Sequence, residues 1–157
     1  MKKIKTALTA IVMLLVSTAI ADPGADVTAK VAAAFQQDFS RASSVTWKEK
    51  SEFYFASFQL NGVSVDAAYN AEGELVGTSR KIAFEQVPLA VSMELAKKYK
   101  DYSISSTVVE LNFEGQTSYY IDVQDNSQSL CLKASSNGDI SVDSRVKKQI
   151  VKSKVEA

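Results

Sequence analysis

The stretch "FQLNGVSVDAAYNAEGEL", Phe58 to Leu75, decides the fold. Its Asn61-Gly62 pair divides two runs in which apolar and polar residues alternate, and a second turn at Ala71 to Gly73 closes the second run. Alternation with a period of two marks a strand with one buried face, and Asn-Gly tolerates the positive φ that a type I′ hairpin turn demands. The stretch is a hairpin followed by the turn into a further strand. "IDVQDNSQSLCLKASSNGDI", Ile121 to Ile140, has the same layout.

Outward from these two hairpins, the same order of segments is found twice. The first set has strands over Ser44 to Lys50, Phe53 to Leu60, Val63 to Asn70 and Glu74 to Lys81; the second has Thr107 to Phe113, Thr117 to Gln124, Ser129 to Ala134 and Asp139 to Arg145. Each set follows a helical stripe. Val27, Val31, Phe35 and Phe39 recur every four residues after a capping Asp26, and Val91, Leu95 and Tyr99 stand 64 positions beyond Val27, Val31 and Phe35, with Pro88 in the first turn. Two copies are too few for a solenoid. The expected fold is α+β: two tandem repeats, 26–82 and 87–145, each a helix packed on a four-stranded antiparallel sheet.

Strand alternation assigns the faces. Trp47, Tyr54, Phe58, Leu60, Val63, Val65, Ala67, Tyr69, Val109, Leu111, Tyr119, Ile121, Val123, Leu130 and Leu132 are expected on the side covered by the helices. Phe53 and Phe55 then point the other way, onto a side that is otherwise wet. With Asp66, Tyr120 and Asp122 they form the candidate binding face, because an aromatic cluster on an open sheet is a common mark of a contact surface. Carboxylates beside a tyrosine suit a partner with basic or amide groups.

The start of the chain reads as an export signal. Lys2, Lys3 and Lys5 precede an apolar run from Ala7 to Val16, and Ala19-Ile20-Ala21 is a small-x-small cleavage site, so residues 1–21 are expected to be removed. The apolar run is too short for a membrane anchor, which places the mature chain in the periplasm or outside the cell. The domain is then 22–145, followed by a basic tail, 146–157. Residues 22–144 carry 10 basic and 17 acidic side chains, a balance that repels nucleic acid phosphates. Residues 145–157 hold five basic and one acidic.

The chemistry that the residues exclude is extensive. There is no His in the sequence, so Ser-His-Asp and Cys-His nucleophiles and histidine metal sites are ruled out. Cys131 is alone, so it forms no internal disulfide and reads as a half-buried strand residue. No Gly-rich phosphate loop is present, and no cofactor is indicated. The turn Asp122 to Ser127 offers oxygen ligands but lacks the Gly and distal Glu of a calcium loop, and reads as a hairpin turn. Glu72 with Glu74, or Asp66 with Asp122, supply carboxylate pairs without the burial that acid-base catalysis requires.

Helix, "SSVTW" at Ser43 to Trp47, "FASFQLNG", then "VDAAYNAEGEL", followed by a second copy, resembles the exported PepSY-like proteins described as beta-lactamase-inhibitor-like. The resemblance spans Val27 to Val142; Asn70 replaces the more usual Asp, and Glu110 stands at the Trp47 position of the second copy. It implies a small secreted domain without catalytic residues that binds another protein through an aromatic-rich sheet face, with an envelope enzyme or protease as the partner. The expected function is a non-enzymatic exported binding module. The alternative is a small-ligand or cell-envelope carrier with an apolar cleft between the repeats.

Overall fold

The computed structural model describes residues 27–148, and the capping role expected for Asp26 and most of the basic tail lie outside them. Helix α1 (Ala29–Asp38) leads into β1 (Ser43–Lys50), β2 (Phe53–Leu60), β3 (Val63–Asn70) and β4 (Leu75–Ala83). A 3-10 turn, Phe84–Gln86, precedes α2 (Leu89–Lys98), and β5 (Ser103–Phe113), β6 (Gln116–Gln124), β7 (Gln128–Ser135) and β8 (Ile140–Lys147) follow. The strands make one sheet in the order β1 to β8, a continuity that the sequence reading of two four-stranded repeats left open. Pairing β4 with β5 satisfies the backbone groups that two separate sheets would leave open on those edges. Among the described residues no helix is long and apolar enough to cross a membrane.

Local chemistry explains the boundaries. Thr28 caps α1, its Oγ1 accepting from the Val31 amide at 3.3 Å. Pro88, with φ −54 and ψ 142, stands immediately before α2 rather than within its first turn. Asn61-Gly62 has φ of 52 and 80, Glu114-Gly115 49 and 74, and Ser51-Glu52 52 and 69, so three hairpins turn on two residues of positive φ, the third without a glycine. The outer strands pair irregularly: β1 slips between Ser43 and Thr46, with Ser44 at φ 53, and β8 inserts an extra residue, Asp143, opposite the Cys131/Leu132 step.

By its internal contacts the chain divides into two compact units, the first reaching Lys81 and including Val109–Ser118, the second holding Ile82–Val108 and everything from Tyr119. In the first, Val31 and Phe35 of α1 pack on Tyr54, Ala56, Phe58, Ala67 and Tyr69, with Trp47, Leu60 and Val65 at the margin. Tyr69 also donates to the Asp38 carboxylate at 2.8 Å, tying β3 to the end of α1, and burial together with that partner raises its pKa. In the second, Val91 and Leu95 of α2 pack on Val108, Tyr119, Ile121, Val123, Leu130 and Leu132.

Three expected core positions differ. Val63, beside the exposed Asn61-Gly62 tip, is 41% exposed and stands outside the core cluster beneath α1. On β5 it is Val108 that joins the helix-side core, so alternation turns Val109 and Leu111 to the other face, where Leu111 is nonetheless buried.

Candidate functional site

The face away from the helices is described in each unit separately. In the first, Phe53, Phe55 and Ser57 alternate with the core residues Tyr54, Ala56 and Phe58, and Asp66 and Ala68 alternate with Val65, Ala67 and Tyr69. The facing agrees with the sequence, but the expected exposure does not hold for Phe55, which is 7% exposed, while Phe53 is half-buried. Phe55 pairs with Ala68, which pairs with Gly77. The small side chains of this row leave room for the large ring beside them, on the side of the strands turned away from α1.

Asp66 lies one step along, opposite Ser57 on one side and buried Ser79 on the other. Ser57 Oγ donates to Asp66 Oδ1 at 2.5 Å. Burial pushes the Asp66 pKa up, and it outweighs both the Ser57 hydrogen bond and the charge of Lys81, which pull it down. A half-buried carboxylate in this state is under-solvated when ionised, and an incoming cation or N–H donor would relieve it. Sequence reasoning missed Ser57. The signal was present, since a two-residue turn at Asn61-Gly62 sets Leu60 opposite Val63 and therefore Ser57 opposite Asp66.

Asp66→Asn is expected to stabilise the protein at pH 7. A folded-state pKa above the unfolded value means that the protonated form favours folding; this contribution is complete below the unfolded pKa and is lost as pH rises through the folded one. The denaturation midpoint of the Asn variant should exceed that of the parent at neutral pH, and the gap should close as pH falls through about 4. An equal or lower midpoint for the variant at pH 7 would show that the carboxylate carries no such penalty.

In the second unit Tyr120 is also buried, at 5% exposure, although it too lies opposite the helix-side residues Tyr119 and Ile121. Desolvation, then the charge of Asp143, then Cys131, push its phenol up to about 12. The Lys133 ammonium stands 5.9 Å from the centre of its ring, within cation–π range. Asp122 is exposed, and Cys131 is half-buried beside it. Burial, reinforced by the charges of Asp122 and Asp143 and by a hydrogen bond from the thiol to Asp122, raises the Cys131 thiol to about 12. Alkylation of Cys131 in the folded protein should accordingly be far slower than that of a free thiol at pH 8, and Asp122→Asn should speed it. Reaction at the rate of a small-molecule thiol would contradict this geometry.

An open depression of about 550 Å³ lies on this face of the second unit, lined by Ser103, Asp122, Gln124, Ser129, Cys131, Ser144 and Val146 among others. At the neighbouring turn, Asp125 accepts from the Ser127 amide at 2.7 Å, the Ser127 hydroxyl at 2.8 Å and the Gln128 amide at 2.8 Å. These bonds, the Ser127 amide foremost, hold its pKa at about 2. One of its oxygens is thus committed to the turn, and among the described residues no group of three or more His, Cys, Asp or Glu is placed to hold a metal ion. In the first unit a smaller depression, about 350 Å³, is lined by Val65 and by polar residues around the Arg80–Glu110 ion pair.

No family model and no curated protein matches the chain. Solved structures do. A BLIP-like protein from Bacteroides fragilis NCTC 9343 is similar at a TM-score of 0.69 and 18% identity, over 82% of this chain and 92% of its own. A DUF2874 family protein from Bacteroides ovatus ATCC 8483 matches at 0.67 and 21%, over 79% and 89%, and a candidate periplasmic protein from Bacteroides eggerthii DSM 20697 at 0.67 and 20%, over 78% and 90%. At these identities the likeness shows the fold: an α+β, BLIP-like arrangement of one antiparallel sheet and two helices.

Proposed function

We propose that this chain is exported after loss of residues 1–21 and works in the cell envelope as a non-enzymatic binding module, a PepSY-like pair of tandem repeats. It meets another envelope protein, an enzyme or protease that it restrains, through the helix-free sheet face. Phe53 and Asp66 in the first unit and Asp122 in the second are the contacts; the buried Phe55 and Tyr120 each support the contact residues of their own unit. The observation that carries this reading is Asp66: a half-buried carboxylate on the side of its strand turned away from α1, where burial disfavours its charge. Such a group costs stability, and carboxylates perturbed by burial cluster at functional sites. The export pattern and the fold shared with a candidate periplasmic protein support the location.

The carrier alternative required an enclosed apolar pocket lined by Phe53 and Phe55. Neither residue lines the two depressions described above, both of which are open and rich in polar groups. The test is site-specific photo-crosslinking in the native envelope. A benzophenone side chain at position 53 or 122 should give a discrete adduct, and one at the exposed helix position 93 should not. Adducts from position 93 alone, or none from the sheet positions, would overturn the reading.

A further inference from the structure

We propose that the depression on the helix-free face of the second unit seats the ammonium group of a lysine side chain, carried on an exposed loop of the partner protein, with Asp122 as its counter-charge. This names the partner's chemistry for the face assigned above, and rests on that assignment. The lining supports it group by group. Asp122 is exposed, accepts a weak bond from the Cys131 thiol, and forms no ion pair among the described residues. It lines a depression whose walls, among the described residues, include no Lys or Arg. Ser103, Ser129 and Ser144 bring hydroxyls from three strands, which can donate to loop carbonyls and accept from the ammonium. Val146, two-thirds exposed, offers apolar surface for the methylene stem.

The rim already holds such a group. The Lys148 ammonium donates to the Gln124 side-chain carbonyl at 3.0 Å and to the Asp125 main-chain carbonyl at 2.7 Å, and Gln124 is itself part of the lining. A second ammonium, that of Lys133, lies over the Tyr120 ring on the same face. Two of the chain's own lysines have therefore found partners here, one through carbonyl oxygens and one through an aromatic ring. Asp122 differs from both in placing an exposed carboxylate in the lining of the depression itself. A volume of about 550 Å³ accommodates one long side chain with the main chain on either side of it.

The experiment is an amide-resolved NMR titration of the mature chain with the capped tripeptide Gly-Lys-Gly at millimolar concentration. The expected result is saturable shifts at Ser103, Asp122, Ser129 and Ser144, weakened at least about tenfold by Asp122→Asn, as loss of a charged hydrogen-bond partner implies, and weakened by added salt. The same tripeptide with its lysine acetylated should give no saturable shift. Equal binding of the acetylated peptide overturns the role of charge, and 1,4-diaminobutane binding more tightly than the peptide overturns the protein loop as source. Absence of shifts with every probe overturns the site. Crosslinks from position 53 that persist alongside that last outcome would leave the contact face standing, whereas loss of crosslinks at both 53 and 122 would remove the face itself.

Discussion

Gly138→Ala should lower the melting temperature by about 10 °C, a larger effect than its place in an exposed turn between β7 and β8 suggests. Two costs add. Gly138 has φ +94, a region where a side chain is strained by roughly 1–2 kcal/mol. A Cβ there would also come within 2.9 Å of the Ala90 carbonyl oxygen and 3.1 Å of its carbon. Those atoms belong to the backbone of α2 and cannot rotate aside, so helix and turn must separate, at about 1–3 kcal/mol more. Gly62→Ala is the control: φ is +80, yet nothing lies within 4 Å of the new carbon, and only the first cost applies. Thermal unfolding of both variants checks the argument, and equal losses would show that close approach to α2 contributes nothing.

Phe35→Ala should cost about 3–5 kcal/mol, the usual range for removing a buried aromatic ring. Phe35 is the hub of the first unit's core, with ring centres 5.5 Å from Phe39, 5.2 Å from Trp47, 5.0 Å from Phe58 and 6.3 Å from Tyr69. Three of these contacts are edge-on, the arrangement that aromatic quadrupoles favour. No single neighbour can fill the space, because each is also anchored elsewhere: Tyr69 by Asp38, Phe39 by its contact with Phe58. Chemical denaturation would measure the loss, and a value below about 1.5 kcal/mol would mean that the cluster collapses around the gap. Phe53, half-buried on the other face and outside this cluster, should tolerate the same truncation far better.

These two residues illustrate what was legible in advance. The stripe Val31–Phe35 and the alternation of β2 and β3 were clear because one face of each element must be apolar, and β2 and β3 end where Asn61-Gly62 places their turn. β5 was harder. It starts at Ser103, not Thr107, because Ser103 to Ser106 contributes a single apolar residue, Ile104, and carries little periodic signal. The single sheet was not legible, since the pairing of β4 with β5 depends on groups far apart in sequence. At the candidate face, orientation followed from alternation, but cover did not. Phe55 and Tyr120 are buried although alternation turns them away from α1 and α2, and burial depends on packing that no pattern within one segment carries.

The uneven outer strands bear on how this molecule behaves in a crowd. An open sheet is a template at both rims, where unpaired amides and carbonyls invite a further chain to add and polymerise. Here neither rim is a straight ladder. The slip at Ser43/Thr46 and the inserted Asp143 put each outermost row of backbone groups out of phase with any regular incoming strand, and Lys48, Lys50, Arg145 and Lys147 add like charge against a second copy. Each rim is thus a poor template for a further strand, and slow fibril formation at high concentration is the expected consequence.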